Sequence, residues 1–154
     1  MTRGSLLLAG ALLLASSQAA GHEACRSEVQ VIAASRAKAP FPKALGRFRK
    51  ALTSGRFSAF KGFRLLKVVR QPLVAGRAVS FVVAGPYLLE LELLERLRVK
   101  NRESYRFRLM FKMKRHGKLR TLSRSVLRLT RGGTFFLAGP PWRQATLVLA
   151  ITLK

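Results

Sequence analysis

The sequence predicts a mainly β fold: an antiparallel β-sandwich or flattened barrel of about eight strands, with one short amphipathic helix near its start and a signal-peptide helix before that. Three observations carry the prediction. After Gly62 apolar and polar residues alternate with a period of two, which a pleated strand sorts onto opposite faces and a helix would scatter around its axis. Glycine- and proline-containing turn signals recur about every eight to twelve residues. The late segments follow one another too closely for the helical crossovers that parallel pairing requires.

In chain order, the first element is an export signal. Arg3 supplies a short positive start, residues 6–15 an apolar core, and Ser17-Gln18-Ala19 the small residues that precede a cleavage point. Cleavage is expected after Ala19 or Ala20, making residues 1–20 the signal peptide and residues 21–154 the single folded domain. An uncleaved anchor is the alternative, and the short apolar run argues against it. Residues 28–34 begin with alternation and end apolar, as suits a first strand. Pro40 and Pro42 then punctuate the chain. Leu45, Phe48 and Leu52 follow at offsets of three and four, with Arg47, Arg49 and Lys50 between them. Residues 43–52 are therefore a short amphipathic helix, stopped by Ser54-Gly55. Its basic side invites a membrane-surface reading. Three turns bury little area alone, however, so the Leu/Phe stripe is expected to pack on the domain core. Phe57, Phe60 and Phe63 are assigned to the core with it.

Residues 63–74, 78–83 and 87–99 read as strands, separated by Ala75-Gly76-Arg77 and Ala84-Gly85-Pro86. Residues 105–114 give the clearest pattern. Tyr105, Phe107, Leu109, Phe111 and Met113 take one face; Arg106, Arg108, Lys112 and Lys114 take the other, with Met110 out of pattern among them. His116-Gly117 turns the chain into residues 119–129, where Arg120, Arg124 and Arg128 are expected to share a face. Arg131-Gly132-Gly133 leads to a short strand at 134–138, and Gly139-Pro140-Pro141 is expected to break pairing. Residues 145–153 close the chain as a nearly continuous apolar run, the mark of a strand covered on both faces.

Composition bounds the class. Lys plus Arg total 30 against 6 acidic residues, a net charge of +24, and the isoelectric point is ≈ 12.0. Yet 49% of residues are hydrophobic and mean hydropathy is +0.12. That apolar content excludes a disordered polybasic tail, while no apolar run approaches the roughly 20 residues of a membrane-spanning helix. Cys25 is the only cysteine, so no intrachain disulfide forms. A lipid-modified cysteine wants an apolar residue three positions earlier, and His22-Glu23-Ala24 does not provide one. Cys25 is expected as an exposed thiol in a mobile N-terminal segment, open to pairing between chains.

Three stretches carry a resemblance. They are Val29-Gln30-Val31-Ile32-Ala33-Ala34-Ser35, then Phe57-Ser58-Ala59-Phe60-Lys61-Gly62-Phe63-Arg64-Leu65-Leu66, then Gly132-Gly133-Thr134-Phe135-Phe136-Leu137-Ala138-Gly139-Pro140-Pro141. Followed by an apolar closing strand, this layout resembles a group of small, uncharacterised exported bacterial proteins with a predicted β-rich domain. The resemblance spans most of the chain after the leader, and its motifs are turn and core residues. It implies an exported single domain and brings no activity, cofactor or functional residue. The Arg/Lys excess is a feature of this chain rather than of the group.

A search for chemistry finds little. There is no aspartate, and the glutamates are Glu23, Glu28, Glu90, Glu92, Glu95 and Glu103. Glu90 and Glu92 share a strand face about 7 Å apart; among so many cations they are expected as ion-pair partners for neighbouring arginines rather than as a catalytic pair. His22 beside the cleavage point and His116 in a turn join no metal-ligand cluster, and nothing in the spacing supports a Ser-His-acid arrangement. Arg131-Gly132-Gly133-Thr134 lacks the setting and the Lys-Ser/Thr ending of a phosphate loop. The expectation is a protein that is not an enzyme, with no catalytic residues, cofactor or metal.

The basic face remains. If the two strands flanking His116-Gly117 pair, Arg106, Arg108, Lys112, Lys114, Arg120, Arg124 and Arg128 form a ladder of like charges, which destabilises a sheet unless an anion neutralises it. Arginine outnumbers lysine 20 to 10, and its guanidinium makes bidentate contacts with phosphate and carboxylate. Tyr105, Phe107 and Phe111 lie on the opposite, core-directed face, unlike a base-stacking platform. The reading is an exported protein, periplasmic or extracellular, that binds an anionic lipid headgroup, lipopolysaccharide or cell-wall phosphate, or serves as a structural part of the envelope. Two other readings stand beside it. One is a protein-interaction module acting through an edge strand, with residues 145–153 the first suspect. The other, less favoured, is a nucleic-acid binder. A solvated face whose arginines reflect coding bias is the bland alternative to all three.

Overall fold

Period-two alternation produces strands where the sequence places it. The computed structural model describes residues 25–154; the expected signal peptide, His22 and Glu23 lie outside the described residues. Eight strands form: β1 (Cys25–Ser35), β2 (Gly62–Leu73), β3 (Ala78–Ala84), β4 (Tyr87–Val99), β5 (Arg102–Arg115), β6 (Lys118–Thr130), β7 (Thr134–Trp142) and β8 (Ala145–Leu153). They make two four-stranded sheets, ordered β2-β1-β8-β7 and β3-β4-β5-β6, with every neighbour antiparallel. The fold is thus a sandwich rather than a closed barrel, because each sheet keeps two edge strands.

The inner faces pack as the alternation requires. Leu89, Leu91 and Leu93 of β4 and Tyr105, Phe107, Leu109 and Phe111 of β5 meet Val29 and Val31 of β1 and Leu147, Leu149 and Ile151 of β8. A second buried cluster lies on the outer face of the other sheet, where Leu45, Phe48, Leu52 and Phe57 cover Ile32, Ala34, Val148 and Ala150. β8 is therefore buried on both faces, and it is an inner strand. That removes the first suspect for edge-strand recruitment. The edges are β2, β7, β3 and β6.

The amphipathic segment does pack its stripe on the core, but it is not one uniform helix. A 3₁₀ stretch over Lys43–Phe48 passes into a short α-helix, α1 (Arg49–Thr53). The spacing explains this: Leu45 to Phe48 is a step of three, which the tighter 3₁₀ turn eclipses, whereas Phe48 to Leu52 is a step of four. Phe136 ties the layer down, its ring edge-on to Phe48 at 5.3 Å and tilted toward Phe57 at 6.1 Å.

Two expectations are corrected at the strand ends. Cys25 is not an exposed thiol in a mobile segment. It is the first residue of β1, opposite Leu73, and is only 4% exposed, because Cys25, Val29 and Val31 share the inward face. Gly139-Pro140-Pro141 interrupts β7 without ending it: the register lapses after Ala138 and resumes with Pro141 opposite Thr146. An edge strand tolerates proline in this way because its outward side needs no N–H donor. Beyond this bulge the Trp142 indole lies against the β3–β4 turn. Gly85 sits there at φ +50°, and a Cβ added to it would come within 2.4 Å of the ring. Only glycine meets both demands.

Candidate anion-binding face

The charged part of the outer face of the β3–β6 sheet comes from three adjacent strands. β4 contributes Glu90, Glu92 and Glu95; β5 contributes Arg106, Arg108, Met110, Lys112 and Lys114; β6 contributes Arg124, Val126 and Arg128. Across the β4–β5 seam Glu90 faces Met110, Glu92 faces Arg108 and Glu95 faces Arg106. Two short ion pairs result, Arg108 to Glu92 at 2.6 Å and Lys112 to Glu90 at 2.6 Å, with a looser one from Arg106 to Glu95 at 3.6 Å. Glu90 and Glu92 are ion-pair partners, as their spacing suggests, although one of the two cations is a lysine.

The β5–β6 seam is different. Arg106 lies directly opposite Arg128, Met110 opposite Arg124 and Arg108 opposite Val126. Among the described residues no carboxylate pairs with the cations of β6. Arg120 does not join them. The register shifts between Phe111 and Lys112, leaving Leu122 as an extra residue on β6, so Arg120 pairs with Met113 on the opposite face. A bulge inverts the sense of the pleat locally, and the expected common face of Arg120, Arg124 and Arg128 is broken there. Six of the seven expected ladder residues share the face; three of them are already ion-paired.

The remaining carboxylates are committed elsewhere. Glu28, on the outer side of β1 and 5% exposed, receives Arg47 at 2.6 Å, Lys154 at 2.8 Å and Arg70 at 3.1 Å. The Lys154 hydrogen bond, opposed by burial and reinforced by Arg70 and by the charges of Lys154 and Arg47, lowers its carboxyl to about 2. Glu103 lies on the face of β5 opposite Arg106 and pairs with Arg96 and with Arg131, the latter at 3.1 Å. Tyr105 donates its hydroxyl to the same carboxylate at 3.2 Å. Burial, together with the charge and hydrogen bond of Glu103, raises the Tyr105 phenol. Sequence reasoning missed the Glu28 cluster, whose three cations lie 19, 42 and 126 residues away in the chain.

All five described glutamates are therefore engaged, and none is left for Lys114, Arg124 or Arg128 on the outer face, nor for Lys100 and Arg102 at its end. Among the described residues no group of three or more His, Cys, Asp or Glu side chains could hold a metal ion. His116 stands in the β5–β6 turn at φ +50°, apart from any such group. No protein-family model, curated protein or solved structure matches this chain.

Proposed function

We propose that this protein is an exported, non-catalytic module that binds an anionic surface of the cell envelope, bearing lipid or polymer phosphates, through the outer face of β5 and β6. One observation carries the reading. The internal carboxylates neutralise Arg106, Arg108 and Lys112 from the β4 side, while Lys114, Arg124 and Arg128 present charge that no described acid balances. Arg106 stands opposite Arg128, a like-charge pair that a bridging anion would relieve. Export is supported by the sequence of residues 1–20.

The test compares the chain with an Arg124→Ser, Arg128→Ser variant on vesicles containing anionic lipid, on immobilised lipopolysaccharide and on DNA, at about 50 and about 500 mM salt. Envelope ligands should retain the chain at low salt, release it at high salt, and lose most of their hold on the variant. Equal retention of variant and parent would overturn the assignment to this face, and preferential retention on DNA would move the ligand to nucleic acid. A second reading, strand addition, is favoured by one feature: β6 is a 13-residue edge strand with Leu119 and Val126 exposed. Such pairing through the backbone would survive the high-salt wash.

A further inference from the structure

The end of the basic face is not flat. A hollow of ≈ 520 Å³ opens where the β4–β5 turn meets the last residues of β6, lined by Val99, Lys100, Arg102, Ser104, Arg128 and Thr130. Ser104 and Thr130 face each other across the β5–β6 seam. Ser104 is only 5% exposed, yet no hydrogen bond joins the two hydroxyls or ties either to another described group. They are open to a ligand. Around them stand three cations, Lys100, Arg102 and Arg128, without acidic partners among the described residues. Glu95 shares a cross-strand row with Arg106 and Arg128 and is directed to Arg106, at 3.6 Å. Glu103 points to the other face, where Arg96 and Arg131 hold it.

We infer that this hollow is a phosphate-monoester site, an inference that rests on the anionic-surface reading and narrows it. A monoester near neutral pH carries close to two charges and three terminal oxygens. Guanidinium groups from two strands can each take a pair of those oxygens, the turn ammonium adds a point charge, and the hydroxyls supply neutral donors. A phosphodiester has one charge and two terminal oxygens, and leaves part of this donor set unused. Along the rest of the face the cations are spaced out on β6 rather than gathered around paired hydroxyls, and a row of that kind has no such preference.

The experiment measures the chain on phosphatidylcholine vesicles doped with either phosphatidic acid, a monoester, or phosphatidylglycerol, a diester, at matched surface charge. Inorganic phosphate serves as the competitor. The parent should prefer the monoester vesicles by about tenfold, the worth of one or two extra charge-assisted hydrogen bonds, and millimolar phosphate should erase that preference. Arg102→Gln with Arg128→Gln, and separately Ser104→Ala, should bring the ratio toward unity. Arg124→Gln should weaken both surfaces and leave the ratio intact. Unchanged circular dichroism and thermal midpoints confirm that the variants fold. A parent with no monoester preference and no competition by inorganic phosphate, or hollow variants that keep the preference, would overturn the inference while the broader reading stands. Salt-sensitive binding to neither vesicle would overturn both. Competition by inorganic phosphate without any vesicle preference would place the ligand as a free phosphate monoester rather than a headgroup.

Discussion

Glu28 shows how one residue can hold distant parts of this chain together. Its carboxylate joins Arg47 above the sheet, Arg70 on β2 and Lys154 just past β8. Replacing it with glutamine keeps the shape and removes the charge, leaving three cations facing a neutral amide. Those cations are 44 to 63% exposed, so water recovers much of their solvation. The expected loss is about 2 kcal/mol at neutral pH, near the value of charge-assisted hydrogen bonds in partly exposed settings. The pH dependence follows from the direction of the shift. The folded carboxyl titrates at about 2, against 4.5 for the free group, so the fold favours the ionised form. Its contribution is complete above 4.5 and fades as pH falls toward 2. Denaturant titrations across that window should show the parent losing stability more steeply than Glu28→Gln. Parallel acid limbs would mean that the three contacts carry no net energy.

At the scale of elements, the helical layer and the turns make separable predictions. Leu52 is fully buried against β1 and β8, so Leu52→Ala should cost about 3 kcal/mol, whereas Arg49→Ala on the exposed side should cost little. A membrane-binding helix would instead insert its apolar stripe, so that Leu52→Ala would weaken vesicle binding while hardly lowering the thermal midpoint. Thermal midpoints of the two variants decide between them. Gly85→Ala should lose about 1 to 2 kcal/mol, since its Cβ meets both a left-handed backbone and the Trp142 ring; a neutral result would show that the β3–β4 turn relaxes away from the indole. These elements also mark how far the sequence could be read. Most strands were legible because alternation and turn residues coincide, and the last because its apolar run is nearly continuous; the pairing of Glu90 and Glu92 was legible from two acids on one face among many cations. Arg120 was misplaced because nothing at Leu122, neither glycine nor asparagine, announces a bulge. Cys25 was misplaced because a single residue cannot signal which face of a strand it continues. The hollow at Ser104 was invisible for a similar reason: Lys100, Arg102, Arg128 and Thr130 come from two segments whose register only pairing fixes.

For the whole molecule, charge and sheet edges oppose each other. β6 offers a long unpaired row of backbone groups, with Leu119 and Val126 more than two-fifths exposed, the kind of edge that invites a second copy to pair. The same strand carries Lys118, Arg120, Arg124 and Arg128. In an antiparallel approach of two β6 strands these cations would meet their counterparts, and in a chain with a net charge of +24 long-range repulsion adds to the local penalty. The cations would therefore guard the edge as well as supply the charge of the proposed anion-binding face. Removing them should trade one behaviour for the other. Arg120→Ser, Arg124→Ser and Arg128→Ser together should weaken retention on anionic vesicles and at the same time allow edge-to-edge association. Sedimentation should then show a mass that rises with protein concentration, while the parent at low salt shows none. High salt should move the parent part of the way toward the variant, because screening shortens the reach of the repulsion to a few ångströms. If the triple variant stays at the parent's mass under every condition, the backbone edge of β6 is protected by its twist or its bulge rather than by charge, and the surplus of arginine would be left with anion binding as its one physical role on this strand.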